Sequence, residues 1–375
     1  MPAILDSAPA RDGFIMPAEF APHDGCWLLW PERTDNWRLG AKPAQVAFAA
    51  VAAAISVGER VTVGVSARQF AHARALLAPA IRVVEVSSND AWMRDVGPTF
   101  VLDRRRRRRA VHWQFNAWGG LDKGLYFPWD LDQEVAAKVC EVESTDRYRA
   151  PFVLEGGSIH VDGQGTLLTT EECLLNPNRN PHLSRADLER LLADYLGIET
   201  VVWLGRGVVN DETDGHIDNL CCFSAPGEVC LTCTDDRSDP QYAVSREAYE
   251  RLADARDARG RRFMVHRLVQ PGPLHMTREE AEGIDGQAEG GLRHAGNRLA
   301  GSYVNFYLGN GRVVMPLLDR RRDAAAATVL RRAFPGREVV GVPAREILLG
   351  GGNIHCITQQ VPRIAGARGR ARRRA

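Results

Sequence analysis

Cys356 is the residue in this chain best placed to act as a nucleophile. It follows Gly350-Gly351-Gly352-Asn353-Ile354-His355, and glycines before a thiol let a ligand approach the backbone closely. A thiolate with such access attacks carbon once its pKa is lowered. The plain alternative is a buried strand cysteine. His216 and Asp218, in Asp214-Gly-His-Ile-Asp, share one face if the segment is a strand, which pairs a proton shuttle with a charge partner. The same H-x-D is also a fragment of many metal sites. Trp92-Met93-Arg94-Asp95-Val96-Gly97-Pro98 supplies an aromatic and a carboxylate at a turn. Trp92 could stack on a planar cation and Asp95 could bind a guanidinium through both oxygens; otherwise Asp95 pairs with Arg94 or caps the turn, and Trp92 is core. Glu155 stands directly before Gly156-Gly157. A flat cation would satisfy a thiol, a histidine, three carboxylates and an indole together.

Elements able to position these residues alternate along the chain. Apolar runs at 61–65 and 83–86 read as strands around a helical stretch at 68–77, and 131–142 and 183–196 have helical spacing. Ser184 and Asp187 resemble a capping box. Residues 245–255 and 323–334 read as helices. Residues 217–233 read as two strands joined at Ala225-Pro226-Gly227, and 303–308 and 312–315 as strands flanking Gly309-Asn310-Gly311. The fold class is α/β in one integrated body. Gly156-Gly157-Ser158-Ile159-His160-Val161 recurs as Gly351-Gly352-Asn353-Ile354-His355-Cys356, so a β/α unit repeats, with a thiol in one copy where the other has valine. Strand alternation turns His355 away from Cys356 and gives it a structural role.

The 375 residues are 45% hydrophobic and 25% charged, with 48 Lys+Arg against 47 Asp+Glu. Residues 104–109 are six consecutive arginines and the stretch after Pro362 carries six more; without those twelve, 36 basic face 47 acidic residues. An acidic body suits a cationic ligand. The arginine runs lack interleaved aromatics, so a solvated loop and a disordered tail are expected rather than a nucleic-acid surface. The longest apolar run, 46–55, is ten residues, about half a membrane span. With no secretory pattern at the start, a soluble cytoplasmic protein is expected. Eight cysteines are too few for a disulfide scaffold. Cys230 and Cys233, with Cys221 and Cys222, lack the second CxxC or histidine pair of a zinc site. Phosphate-binding glycine loops, GxSxG and HExxH are missing, which removes the common nucleotide, serine-hydrolase and zinc-protease readings.

The segments MPAEF, HDGCWLLWP, WMRDVGPTF, HWQFNAWGG, NDETDGHIDN, AGSYVNFYLGNGRVVMP and LGGGNIHCITQQVP closely resemble the agmatine deiminases, a family of guanidino-group-modifying enzymes, over residues 16–362. The resemblance implies a pseudo-five-fold α/β propeller of ββαβ units. It implies residues 1–15 as a flexible N-terminus, 16–362 as one catalytic domain and 363–375 as a basic, disordered tail. It makes Cys356 the nucleophile, His216 the acid and base, and Asp95 and Asp218 the grip on the guanidinium. Glu155 is placed beside His216, and Trp92 in the channel. Glu212 and Asp214 become candidates for the substrate's distal amine. The implied reaction turns agmatine into N-carbamoylputrescine and ammonia, on the way from arginine to putrescine. Neither a metal nor an organic cofactor is implied, and a homo-oligomer, guessed as a dimer, is. Peptidyl-arginine or free arginine remain alternative substrates. A metal-dependent ureohydrolase is the alternative chemistry, which would need a two-metal cluster. A nucleic-acid binder on a retired scaffold is the alternative without catalysis.

Overall fold

The computed structural model describes residues 2–286 and 293–366. Among them the strands form five small mixed sheets, and each sheet is built on one plan. A pair of antiparallel strands is followed by a helix, and the chain returns parallel to the second strand. Thus Cys221–Ala225 and Glu228–Cys233 pair antiparallel, the helix Gln241–Asp254 crosses over, and Met264–Val269 returns parallel. Tyr307–Gly309, Arg312–Leu317, the helix Asp323–Ala333 and Glu338–Pro343 repeat the plan. So do His160–Val161, Thr166–Thr170, the helix Arg185–Leu196 and Thr200–Leu204. Thr99–Asp103, Arg108–Gln114, the helix Asp130–Val142 and Arg147–Val153 make another unit. In the last one the two ends of the chain meet. Gln359–Pro362 pairs antiparallel with His23–Leu29, and the helix Lys42–Ser56 leads to Arg60–Val65.

The crossover helices bury one stripe each. Leu188, Leu192 and Leu196 pack on the strand bearing Leu167. Val244, Ala248 and Leu252 do the same over Val229 and Leu231, as do Ala326, Leu330 and Ala333 over Val313 and Met315. A spacing of three or four keeps each stripe on one face, and a fully buried leucine contributes roughly 1.5–3 kcal/mol. The expected capping box is present, with Ser184 N–H donating to Asp187 Oδ2 at 3.1 Å and Asp187 N–H to Ser184 Oγ at 3.2 Å. The apolar run at 46–55 lies inside a helix of 15 residues, and no helix among the described residues is long and apolar enough to cross a membrane.

Two expectations change, and residues 1–15, read as flexible, include two short strands that pair with the body. Ile4–Leu5 joins Arg147 and Tyr148 in parallel, and Phe14–Ile15 joins Leu102 and Asp103 antiparallel. Phe14 is buried; its anchors are too far away in sequence for local pattern to reveal. The strand expected at 303–308 begins only at Tyr307, because residues 303–306 form an irregular approach. Within 104–109 the guanidinia are largely committed. Arg107 bonds Asp103 at 2.6 Å, Arg108 lies 3.4 Å from Glu143 and Asp24, Arg109 bonds Asp12 at 2.6 Å, and Arg106 bonds the Arg363 carbonyl at 3.0 Å. Of the basic stretch after Pro362, Arg363 bonds the His23 carbonyl at 3.0 Å and the Ile364 N–H donates to Asp24 at 3.1 Å, and 367–375 fall outside the described residues.

Candidate active site

The chemistry-bearing residues come from one kind of place. Each sheet's first strand is preceded by an irregular approach, and those approaches converge. Trp92 and Asp95 precede Thr99–Asp103, Glu155 precedes His160–Val161, and His216 and Asp218 precede Cys221–Ala225. Cys356 precedes Gln359–Pro362, and Asn305 precedes Tyr307–Gly309. His216 and Asp218 lie not in a strand but at the start of the short helix Ile217–Leu220, so their shared direction comes from a turn. Cys356 likewise lies in a turn before its strand.

Gly157 marks the centre. A methyl group there would sit 2.5 Å from His216 Nδ1, 2.9 Å from Asp95 Oδ1 and 3.0 Å from Asp218 Oδ2. Only hydrogen leaves room for the three groups to meet. The Gly157 N–H donates to Asp95 Oδ1 at 2.9 Å, and Trp118 Nε1–H to Asp95 Oδ2 at 3.0 Å. Asp95 is therefore oriented by two neutral donors and not by Arg94, whose guanidinium turns to Glu19 at 3.0 Å. Asp218 Oδ2 lies 3.5 Å from Cys356 Sγ, and Asp218 Oδ1 has no hydrogen bond. Asn305 Nδ2–H donates to Cys356 Sγ at 3.2 Å, and the His355 N–H donates to Asn305 Oδ1 at 2.9 Å. Glu155 lies 3.8 Å from His216 and receives Arg179 Nε–H at 2.8 Å.

A cavity of about 340 Å³ opens onto this cluster, with Asp95, Trp92, Trp118, Glu212 and Cys356 in its wall. Trp92 is buried yet lines it, its indole N–H held by Asp90 at 3.0 Å. Asp90 also receives Trp37 Nε1–H at 2.7 Å and Asn36 Nδ2–H at 2.9 Å. Glu212 is anchored through one oxygen by Arg293 at 2.8 Å. Asp214 is not in the wall; its Oδ2 takes Arg179 at 2.6 Å and Asn178 at 2.7 Å. His355, expected to be structural and turned away, reaches Asp218 Oδ2 at 2.8 Å. Strand alternation does not apply in a turn.

Burial penalises each charge here, and the neighbours decide the balance. Asp95 is raised to about 6 by burial together with the charges of Asp218 and Glu155, against the opposing pull of His216. Burial would raise Glu155 too, but Arg179 and His216 hold it at about 2. Burial works against a charged His216; Asp95, Cys173 and Glu155 outweigh it and lift its pKa well above the usual range. The Cys356 thiol is raised well above its ordinary value by burial, Asp218 and Asp95.

Among the described residues, two groups of donors approach metal-binding geometry, Glu19 with His160 and His355, and Glu155 with Cys173 and His216. Each already carries a guanidinium, Arg94 at 3.0 Å on Glu19 and Arg179 at 2.8 Å on Glu155. That donor chemistry does not fit a resident cation. Cys221, Cys222, Cys230 and Cys233 are buried strand residues outside both groups.

Sequence reasoning missed Asn305, Trp118, Glu19 and Arg179. Trp118, Asn305 and Glu19 lie inside the quoted segments HWQFNAWGG, AGSYVNFYLGNGRVVMP and MPAEF, which were the available signal. Glu19 and Arg179 act through side chains distant in sequence.

The chain belongs to the Porphyromonas-type peptidyl-arginine deiminase family, whose model matches residues 15–362, and it is a hydrolase. It is 59% identical over 358 residues to the agmatine deiminase of Pseudomonas aeruginosa strain LESB58, covering 95% of this chain and 97% of that one. A structure of the Enterococcus faecalis agmatine deiminase catalysing its reaction superposes with a TM-score of 0.93 at 49% identity, covering 97% of this chain and 100% of that one. A Cys→Ser variant of the C. jejuni agmatine deiminase with substrate bound matches with a TM-score of 0.80 at 25% identity, covering 94% and 97%.

Proposed function

We propose that the protein hydrolyses agmatine to N-carbamoylputrescine and ammonia through a covalent intermediate on Cys356. The observation that carries this reading is the pair of buried carboxylates, Asp95 and Asp218, meeting at Gly157 beside the Cys356 thiol, with no lysine or arginine salt-bridged to either among the described residues. A guanidinium between them offsets both negative charges. The thiol proton is then displaced to solvent, and the thiolate faces the guanidinium carbon. Attack gives a tetrahedral adduct. His216, protonated in the empty site, donates to the departing nitrogen, ammonia leaves, and an S-alkylthiouronium remains. Neutral His216 next takes a proton from water as the oxygen attacks that carbon. Collapse expels the thiolate and releases the hydroxyl proton to solvent, where the ammonia already freed takes one up as ammonium. Glu155, fixed by Arg179, holds His216 in place. Asn305 donates to the sulfur throughout.

Glu212 is the residue for the distal ammonium, since Arg293 takes only one of its oxygens. The cavity's arginines favour agmatine over free arginine. Arg33 bonds Asp35 at 2.5 Å, and Arg293 is held by Glu212 and the carbonyls of Leu349 and Gly350, so neither awaits a carboxylate. The five hairpin–helix–strand units are read as blades of a pseudo-five-fold propeller, supported by the convergence of their approaches on Gly157 and Cys356.

The test is product analysis with agmatine, with and without chelator, beside Cys356→Ser. Ammonia plus N-carbamoylputrescine, unchanged by chelator and lost in the variant, is expected. Urea plus putrescine overturns the reading, and ammonia from arginine or an arginyl peptide alone changes the substrate.

A further inference from the structure

Behind the two carboxylates lies a buried layer that the deimination steps leave unused. The His355 ring is enclosed between two acids. Its Nδ1 is 2.8 Å from Asp218 Oδ2, and its Nε2 is 2.9 and 3.0 Å from the oxygens of Glu19. All three side chains are buried. An ionised carboxylate only accepts, so both bonds form together only when both ring nitrogens carry protons. Glu19 is kept ionised by Arg94 Nη1 at 3.0 Å and by His160 Nε2 at 3.6 Å. Asp218 Oδ2 already faces the Cys356 thiol at 3.5 Å, a second donor that calls for an acceptor.

We propose that His355 is a fixed, buried imidazolium, held in that form by Glu19, and that it positions Asp218 through Oδ2 so that Oδ1 is presented to the substrate guanidinium. This rests on the deiminase reading above. Neither His355 nor Glu19 touches the reacting atoms; both are positioning residues.

The charges around the pair are few. Asp218 comes from the helix Ile217–Leu220 and Arg94 from Met93–Val96. His160 comes from the strand His160–Val161, its ring centroid 6.3 Å from that of His355. Glu19 precedes the strand His23–Leu29, and His216, Asp95 and Cys356 face Asp218 from the cavity side. Burial and Arg94 push His355 towards its neutral form, yet Glu19 and Asp218 outweigh them and its pKa is raised. Burial likewise penalises an ionised Asp218, and the His355 hydrogen bond and charge reverse that. If the imidazolium is lost, Asp218 becomes harder to ionise. Two carboxylates, not Asp95 alone, must then shed protons before the substrate binds.

The experiment uses the full chain with Glu19→Gln and His355→Gln. Nitrogen-15 NMR of the imidazoles, assigned to His355 by the signal lost in His355→Gln, is expected to show double protonation at a pH where an exposed histidine is neutral. In Glu19→Gln that signal is expected to shift to a neutral ring. In both variants the acid limb of kcat/KM for agmatine is expected to move towards neutral pH and to steepen. At pH 6, kcat/KM should fall at least about tenfold. A neutral His355 in the unsubstituted enzyme, or an unaltered pH profile in Glu19→Gln, would overturn the proposal. Should His355→Gln fail to fold, Glu19→Gln supplies both readouts, with the His355 signal assigned through its coupling to the backbone. Failure of the unsubstituted enzyme on agmatine would sink the deiminase reading while leaving the NMR result to stand by itself.

Discussion

Residues 156–161 and 351–356 share two glycines, a small polar residue, an isoleucine and a histidine in the same order, and they begin by doing the same thing. The second glycine of each admits close approach at the site: a methyl on Gly157 would meet His216 at 2.5 Å, and one on Gly352 would meet Trp92 at 2.5 Å and Cys356 Sγ at 3.1 Å. Each histidine also turns its Nε2 to Glu19, at 3.6 Å from His160 and 2.9 Å from His355. They part at the other ring nitrogen. His160 Nδ1 accepts the Phe223 N–H at 3.3 Å, whereas His355 Nδ1 meets Asp218. The first copy then runs straight into a strand and buries Val161, while the second stays in a turn that sets Cys356 beside Asp218. One local pattern thus builds two backbone cradles, and the segment across from each decides whether it is scaffold or reactive site.

The largest test of that contrast is at the last residue of each copy. Cys356→Ser is expected to lower kcat for agmatine at least roughly a thousandfold. Val161→Ser should leave kcat within a few-fold and lower stability by roughly 1–3 kcal/mol, since its hydroxyl would be buried unpaired; turnover and denaturant melts measure the two. At the matched glycines the copies should behave alike. Gly157→Ala and Gly352→Ala are each expected to cost about a hundredfold in kcat/KM, because a displacement of about 1 Å in the positioned groups is enough for that. A drop confined to one of them would break the equivalence.

Asp95 sharpens the comparison through pH. Its carboxyl, raised to about 6, must be ionised to hold a cation. Agmatine binding to Cys356→Ser should therefore weaken about tenfold per unit as pH falls below about 6, measured by calorimetric titration. The stability linkage has the opposite sense: a folded pKa above the unfolded value means Asp95 contributes stability at low pH that is lost as pH rises through about 6. The smallest effect is expected at the scaffold histidine. His160→Gln should cost about 1 kcal/mol and leave the acid limb of the pH profile in place, unlike His355→Gln.

Much of the architecture was readable because it is local. The helices Asp130–Val142, Arg185–Leu196 and Asp323–Ala333 fall close to where apolar spacing put them, and the hairpin turn at Gly309-Asn310-Gly311 stands between its strands. The candidate site was legible where glycine marked it, at Glu155 and Cys356, which the fold brings near His216 and Asp218. His216 and Asp218 were read as sharing a strand face, whereas a turn entering a helix brings them together, since H-x-D aligns in either. Asn305 escaped because the apolar neighbours Val304 and Phe306 make its segment look like a strand. Glu19 lay inside the segment MPAEF, but its role was not legible there, as its partners Arg94, His160 and His355 are spread along the chain.

By itself, the sequence determined the alternation of elements, the repeated glycine turn, and the stock of groups able to handle a flat cation. These depend on spacing and residue type within a few positions. Only the tertiary structure decided which of those groups meet and in what charge state. Convergence at Gly157 needs the approaches of several sheets at once. The protonation of Asp95, Cys356 and His355 follows from burial among charges that the chain brings together from distant positions, because electrostatic energies depend on separation in space and on excluded water.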